Sequence, residues 1–277
     1  MAAPAADPSG FKASLLLAGA GKMGGAMLRA WLDRGYDPGK INVIEPNPSQ
    51  DLIRLARAKG FALGPPLRAP EILVLGMKPQ TLDAAAASLA PFASAETLVV
   101  SILAGKTMAN IAARLPQARA IIRAMPNLPA AVGRGATGLA ANEAVTQHQR
   151  GLAEGLLAAV GRVEWLADEH LIDAVTAISG SGPAYVFYLA ECLAKAGAAL
   201  GLPENVAARL ARATVEGAGE LLFQSVQSTP AQLRAAVTSP GGTTAAALDV
   251  LMAPDGLAPL IERSAAAARL RATQLSG

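Results

Sequence analysis

Three glycines constrain the start of this chain more tightly than any other feature. Gly19, Gly21 and Gly24 come directly after the apolar run Leu15, Leu16, Leu17 and directly before a helical stretch over residues 23–32. In that position a G-x-G-x-x-G pattern leaves few options. The chain leaves a strand, turns sharply at Gly19, keeps its backbone bare at Gly21 and packs the next helix closely at Gly24. Such a turn aims amide hydrogens and the positive end of a helix dipole outward, worth ~0.3–2 kcal/mol toward an anion. The expected occupant is the pyrophosphate of a dinucleotide, with Ala20, Lys22 and Met23 completing the contact surface.

The surrounding pattern supplies the sheet that such a turn needs. Short apolar runs at residues 14–19, 41–45, 71–76, 97–101 and 120–124 alternate with helical stretches, the signature of a parallel sheet wrapped by helices. Residues 137–141 and 162–166 are expected to add edge strands. Asn47 offers an N-cap, Pro48 a first helical position and Gly60 a stop, which predicts a helix over 49–59. Glu45 ends the second run about 20 residues after Gly24, where an acid meets the adenosine ribose. A carboxylate there accepts from the 2′-hydroxyl and repels a 2′-phosphate by roughly 1–4 kcal/mol. The cofactor is thus NADPH or NADH, with NADH favoured through Glu45, and Asn47 is expected beside it. In an open parallel sheet, ligands lie beyond the carboxyl ends of the strands. Met77, Lys78 and Pro79 after the third run and Ala104 after the fourth are therefore further candidates for cofactor contact.

After Asp168 the β-branched runs vanish, and Ala, Leu and Gly at helical spacing continue to the end. The chain thus divides into a tail (residues 1–11), an α/β region (12–168) and an all-helical region (169–277). A long helix over 204–224 carries Ala207, Ala208, Ala211, Ala213, Gly217, Ala218 and Gly219, small residues that let another helix approach closely. Shallow helices of this kind bury little alone, so a second subunit is the expected partner. Residues 1–11, rich in Ala and Pro, lack the basic start and apolar centre of a secretory signal and are expected to be flexible. No run of apolar residues is long enough for a membrane span. The one cysteine, Cys192, lies in an apolar helical pattern and is expected to be a buried core thiol, which favours a cytoplasmic setting. Net charge is only +3 and the arginines are scattered, so nucleic acid is not an expected partner. His148 and His170 have no companions at metal-ligand spacing and read as solvated helix residues, so no metal is expected.

Three loops of small and hydroxyl residues remain: Met125-Pro126-Asn127-Leu128-Pro129, Ser179-Gly180-Ser181-Gly182-Pro183-Ala184-Tyr185 and Thr238-Ser239-Pro240-Gly241-Gly242-Thr243-Thr244. Taken with Asp173-Ala174-Val175-Thr176-Ala177-Ile178 and the glycine turn, they make the sequence from Leu15 onward resemble the pyrroline-5-carboxylate reductases. The resemblance implies an α/β Rossmann-type domain with a parallel sheet, followed by an all-α dimerisation domain. It implies NAD(P)H-dependent reduction of the cyclic imino acid L-1-pyrroline-5-carboxylate to L-proline, the last step of proline biosynthesis. It also implies a homodimer with interlocked helical domains, which some members build into rings. By the same resemblance Gly241, Gly242 and Thr243 hold the substrate carboxylate and Thr244 is the catalytic candidate near the ring nitrogen. Glu169 would approach bound product, and Asn127 would join the cofactor contacts.

The residues agree with the carboxylate site, since Gly241 and Gly242 ahead of a helical run over 243–252 place free amides at a helix N-terminus. Without the resemblance, the same residues describe an ordinary helix start with a Ser/Thr cap. Leu128 stands where threonine is usual in the family, and Ala235 and Ala236 stand where polar residues are common. An imine nitrogen can already carry the proton that activates its carbon, so a strong general acid is dispensable. The matching loops hold no Lys or His, and Lys195 reads as a surface residue. Two other readings compete. One is another imine reductase or a β-hydroxyacid dehydrogenase-like reductase, although the substrate-helix lysine of the latter has no counterpart here. The other is a non-catalytic dinucleotide-binding sensor, which would have no use for residues 241–244.

Overall fold

The computed structural model describes residues 12–276, and the tail expected over residues 1–11 lies outside them. Strands β1 (Leu15–Ala18), β2 (Ile41–Ile44), β3 (Ala62–Leu63), β4 (Ile72–Leu75), β5 (Leu98–Ser101), β6 (Ala120–Met125), β7 (Gly135–Ala141) and β8 (Gly161–Trp165) form one sheet in the order β3-β2-β1-β4-β5-β6-β7-β8. All pairs are parallel except β6 with β7. The chain runs outward from β1 through β2 to β3, then returns to place β4 on the other side of β1. This reversal opens a crevice at the carboxyl ends of β1 and β4, where open α/β sheets bind ligands.

The central strands β1, β4 and β5 are buried throughout and read as near-continuous apolar runs because both faces are covered. Leu15, Leu17, Ile72, Val74, Leu98 and Val100 face one core, with Met27, Leu28 and Trp31 of α1 (Lys22–Asp33) and Leu52 of α2 (Gln50–Lys59). Ala153, Leu156 and Leu157 of α5 (Gln147–Ala158) complete that side. The alternate residues Leu16, Leu73, Leu75, Val99 and Ile121 face a second core, with Leu82 and Leu89 of α3 (Leu82–Leu89) and Ile111 of α4 (Met108–Arg114). An ion pair between Asp83 and Arg114 ties α3 to α4, and the Arg114 guanidinium holds the Asp83 carboxyl below its ordinary pKa.

The expected helix after β2 starts one residue later than the sequence suggested. Ser49, not Asn47, is its cap, accepting the Leu52 amide at 3.2 Å, and Gly60 stops it with φ 88°. The two-residue strand β3 was not expected, since a run that short carries no readable period.

Chain contacts divide the protein into two compact units, residues 12–180 with 268–276, and residues 181–267. The division falls later than the change of sequence character after Asp168. Helix α6 (Leu171–Val175) and the π-helical turn Thr176–Gly180 therefore belong with the first unit, as does the end of α11 (Leu257–Ser276). The second unit contains α7 (Gly182–Ala199), α8 (Glu204–Gln224), α9 (Pro230–Ala236), α10 (Thr243–Leu251) and the start of α11. Helices α7 and α8 form a hairpin that turns at Gly201 (φ 97°), and a β-carbon at Gly197 would lie 3.1 Å from that of Ala207. Small residues thus set this close approach. Cys192 corrects an expectation. It is exposed on α7, because in the chain by itself that helix buries no side chain fully. Among the described residues, no helix is long and apolar enough to cross a membrane.

Candidate active site

The glycine turn between β1 and α1 uses each glycine for a different reason. Gly19 has φ 96°, and a β-carbon there would lie 2.4 Å from the Met77 nitrogen. At Gly24 a β-carbon would lie 2.2 Å from the Gly19 carbonyl oxygen. Beside Gly21 there is nothing within 4 Å, so its bareness serves no contact inside the protein and leaves room for a ligand. Gly21 is also the N-cap of α1, which no side chain caps. Its first amides are therefore open to an anion. The far end of α1 is anchored in the core. Trp31 Nε1 donates to the Leu156 carbonyl at 2.8 Å, and Tyr36, 6.5 Å from the Trp31 ring, donates its hydroxyl to the Gly155 carbonyl at 2.9 Å. Burial pushes the Tyr36 pKa up to about 12. Lys22 is exposed and Met23 half-buried at the mouth of the turn.

Glu45 follows β2 and reaches the turn. Its Oε2 accepts the Ala20 amide at 2.9 Å, and its Oε1 accepts the Asn47 amide at 3.4 Å. Beside it lies a groove of about 500 Å³ walled by Ile44, Pro46, Pro48, Pro91 and Phe92, apolar surfaces suited to a flat base. From β4, Met77 packs on Gly19, while the Lys78 side chain is exposed and its carbonyl accepts from Thr81. Pro79 opens the 3-10 turn Pro79–Thr81. Ala104 is exposed in the loop after β5. These residues of the first unit gather at one edge of the sheet, at or just beyond the carboxyl ends of β1, β2, β4 and β5.

Two expected contact residues are engaged within the protein. Asn127 Nδ2 donates to the Ser179 carbonyl and hydroxyl, each at 3.1 Å, while its Oδ1 accepts the Ala136 amide at 2.9 Å. It thus splints the loop after β6 to the π-helical turn. Glu169 turns its carboxylate to the Met108 amide at 2.7 Å and to Arg123 at 3.3 Å. Arg123 itself was missed in the sequence. The available signal was a lone charge inside the apolar strand Ala-Ile-Ile-Arg-Ala-Met.

In the second unit, Ser239, Pro240, Gly241 and Gly242 form a turn closed by the Gly242 amide donating to the Ser239 carbonyl at 3.0 Å, with Gly241 at φ 69°. Proline followed by a left-handed glycine is the signature of a type II turn. This corrects the expectation of two free glycine amides, because turn closure engages that of Gly242. Helix α10 then opens at Thr243 without a side-chain cap, Thr243 exposed and Thr244 half-buried.

Residues 169–275 match the family model described as pyrroline-5-carboxylate reductase dimerisation, and residues 15–105 match that described as NADP oxidoreductase coenzyme F420-dependent. The chain is 40% identical over 264 residues to pyrroline-5-carboxylate reductase of Pseudomonas aeruginosa, covering 93% of this chain and 95% of that one. The chain belongs to the pyrroline-5-carboxylate reductase family. A second member of that family, from Synechocystis sp., is 42% identical over 256 residues, which cover 91% of this chain and 94% of the relative. The solved structure of a pyrroline-5-carboxylate reductase from Coxiella burnetii superposes with a TM-score of 0.87 at 37% identity, covering 96% and 99% of the two chains. Membership makes this chain an NAD(P)-dependent oxidoreductase of the CH–NH class.

Proposed function

We propose that this chain reduces the C=N bond of L-1-pyrroline-5-carboxylate to give L-proline, with NADH preferred over NADPH. The observation that most supports this reading is the similarity to the Pseudomonas aeruginosa reductase, which covers 93% of this chain and so extends through both units. The dinucleotide supplies hydride from its nicotinamide ring to the imine carbon. Gly19, Ala20, Gly21 and the start of α1 receive its pyrophosphate, and the groove beside Glu45 receives its adenosine. Glu45 is held in place by the Ala20 amide, so its charge would meet a 2′-phosphate at roughly 1–4 kcal/mol of repulsion.

Gly241 and Thr243 hold the substrate carboxylate at the uncapped start of α10, where the Gly242 amide is given to turn closure, and Thr244 orients the ring nitrogen. No residue need act as a strong acid, since the nitrogen arrives with the proton that makes its carbon electrophilic. Orientation is then the main contribution of the protein. The second unit joins a second copy of the chain in an interlocked homodimer. Its exposed Phe187, Tyr188, Leu200 and Val250 support that reading, together with the match to the dimerisation model.

The direct test follows oxidation of NADH and of NADPH with pyrroline-5-carboxylate, its six-membered homologue and an open-chain 2-keto acid in parallel. The five-membered imine should turn over fastest, and a preference for the keto acid would overturn the assignment. Thr244→Ala should lower kcat/KM for the imine about tenfold or more, the scale of one lost hydrogen bond to a charged group, with dinucleotide affinity retained. An unchanged kcat/KM would remove Thr244 from the mechanism.

A further inference from the structure

Arg123 is buried in β6, 4% exposed, and no step described above uses it. It sits opposite Ser101, the last residue of β5. Its Nη1 lies 3.3 Å from Glu169 Oε1 and its Nη2 lies 3.6 Å from Asp173 Oδ1. Each carboxylate has a further partner. Glu169 accepts the amide of Met108, the first residue of α4, and Asp173 Oδ2 accepts the Thr273 hydroxyl at 2.9 Å near the end of α11. One guanidinium therefore connects β6, the start of α4, α6 and the last turns of α11.

Between β5 and α4 runs the loop over residues 102–107, which carries Ala104. At its Gly105 (φ 71°) a β-carbon would lie 2.8 Å from the Leu275 carbonyl oxygen, so the end of α11 also bears on this loop directly. The loop is thus held from two sides, by Glu169 at its exit and by α11 over its middle.

Stability is a poor reason for these charges. A buried cation between two carboxylates can often be replaced by apolar groups without loss, and Asp173 Oδ1 is buried with no hydrogen bond among the described residues. What a guanidinium adds is direction, since its planar fork sets two acceptors in one geometry. We propose that Arg123 is a positioning residue which, through Glu169 and Asp173, fixes the loop over residues 102–107 so that it orients the nicotinamide end of the dinucleotide. The inference rests on the function proposed above for its catalytic consequence, and on the network alone for its structural one.

Two variants test it. Arg123→Lys keeps a cation but loses the fork, and the triple variant Arg123→Met, Glu169→Gln, Asp173→Asn removes all three charges together, leaving none unpaired. Amide hydrogen exchange of residues 102–108 is expected to quicken about tenfold in both, with β1 unchanged, as local opening requires. Steady-state kcat is expected to fall about tenfold or more while the KM for dinucleotide moves less than about threefold, as for a misoriented donor. Unchanged exchange over residues 102–108 would overturn the proposal, as would a uniform rise across the sheet. Should Arg123→Lys not fold, the triple variant decides by the same two readouts. A wild-type chain that fails to oxidise either dinucleotide with the imine counts against the proposed function, whereas the exchange comparison still decides the network.

Discussion

The two units of this chain are both rich in apolar residues and use them in opposite ways. In the first, strands β1, β4, β5 and β6 find cover on both faces within the same chain, so Leu16, Leu73 and Val74 are fully buried. In the second, only Ala207 and Ala211 are buried among the described side chains. There Phe187 is 57%, Tyr188 61%, Leu200 87% and Val250 72% exposed. The difference lies in geometry. A βαβ succession brings its own covering layers, whereas a helix hairpin such as α7 with α8 covers one stripe of each helix and leaves the others open. Exposed apolar area of this extent marks a surface meant for a partner. For the first unit, self-sufficiency means that the site can be preorganised before any partner arrives.

The largest expected effect comes from attacking the open face. Phe187→Arg should convert the assembly to monomers in sedimentation velocity and abolish turnover, while dinucleotide titration of the first unit changes little. An intact oligomer would break the contrast between the units. Next in size is Gly19→Ala, which places a β-carbon 2.4 Å from backbone at a left-handed φ. Dinucleotide affinity, read by NADH fluorescence, should fall about a hundredfold, the equivalent of about 3 kcal/mol, with the oligomer retained. Glu45→Gln keeps an acceptor for the Ala20 amide and removes the charge. The NADH-to-NADPH ratio of kcat/KM should shift toward NADPH by about tenfold, and an unmoved ratio would separate Glu45 from cofactor choice.

The smallest effect sharpens the account of the first core. The Tyr36 pKa is raised from 10.0 to about 12, so between those values the unfolded chain releases a proton that the folded chain keeps. Stability from this group is complete below pH 10 and lost as pH rises toward 12, on the order of 3 kcal/mol in all. Tyr36→Phe should cost about 1 kcal/mol near neutral pH through the Gly155 carbonyl it leaves unpaired. It should also flatten the alkaline loss in urea unfolding relative to the wild type. An equal alkaline slope in both proteins would show that Tyr36 is not the group responsible.

Much of the first unit was legible because its constraints are local. The glycine turn could be placed from three residues, since each glycine answers a steric demand within a few positions. Helix α8 has the bounds read from the sequence, with Pro203 before it and the period failing after Gln224. The run over residues 243–252 likewise became α10, ending one residue early at Leu251. Less was legible where contacts join distant segments. The groove beside Glu45 takes walls from β2 and from Pro91 and Phe92. Asn127 meets Ser179, and Arg123 meets Glu169 and Asp173, across separations that no periodicity spans.

From residues alone came the glycine turn, the succession of strands and helices, and the change to small-residue helices after Asp168, all properties of neighbours along the chain. Only the tertiary structure decided that Glu45 braces Ala20, that Cys192 faces outward and that Arg123 is shared by four segments. The physical reason is that sterics and backbone dihedrals act over a few residues. Charge pairing and burial depend on which groups meet after the chain has closed on itself.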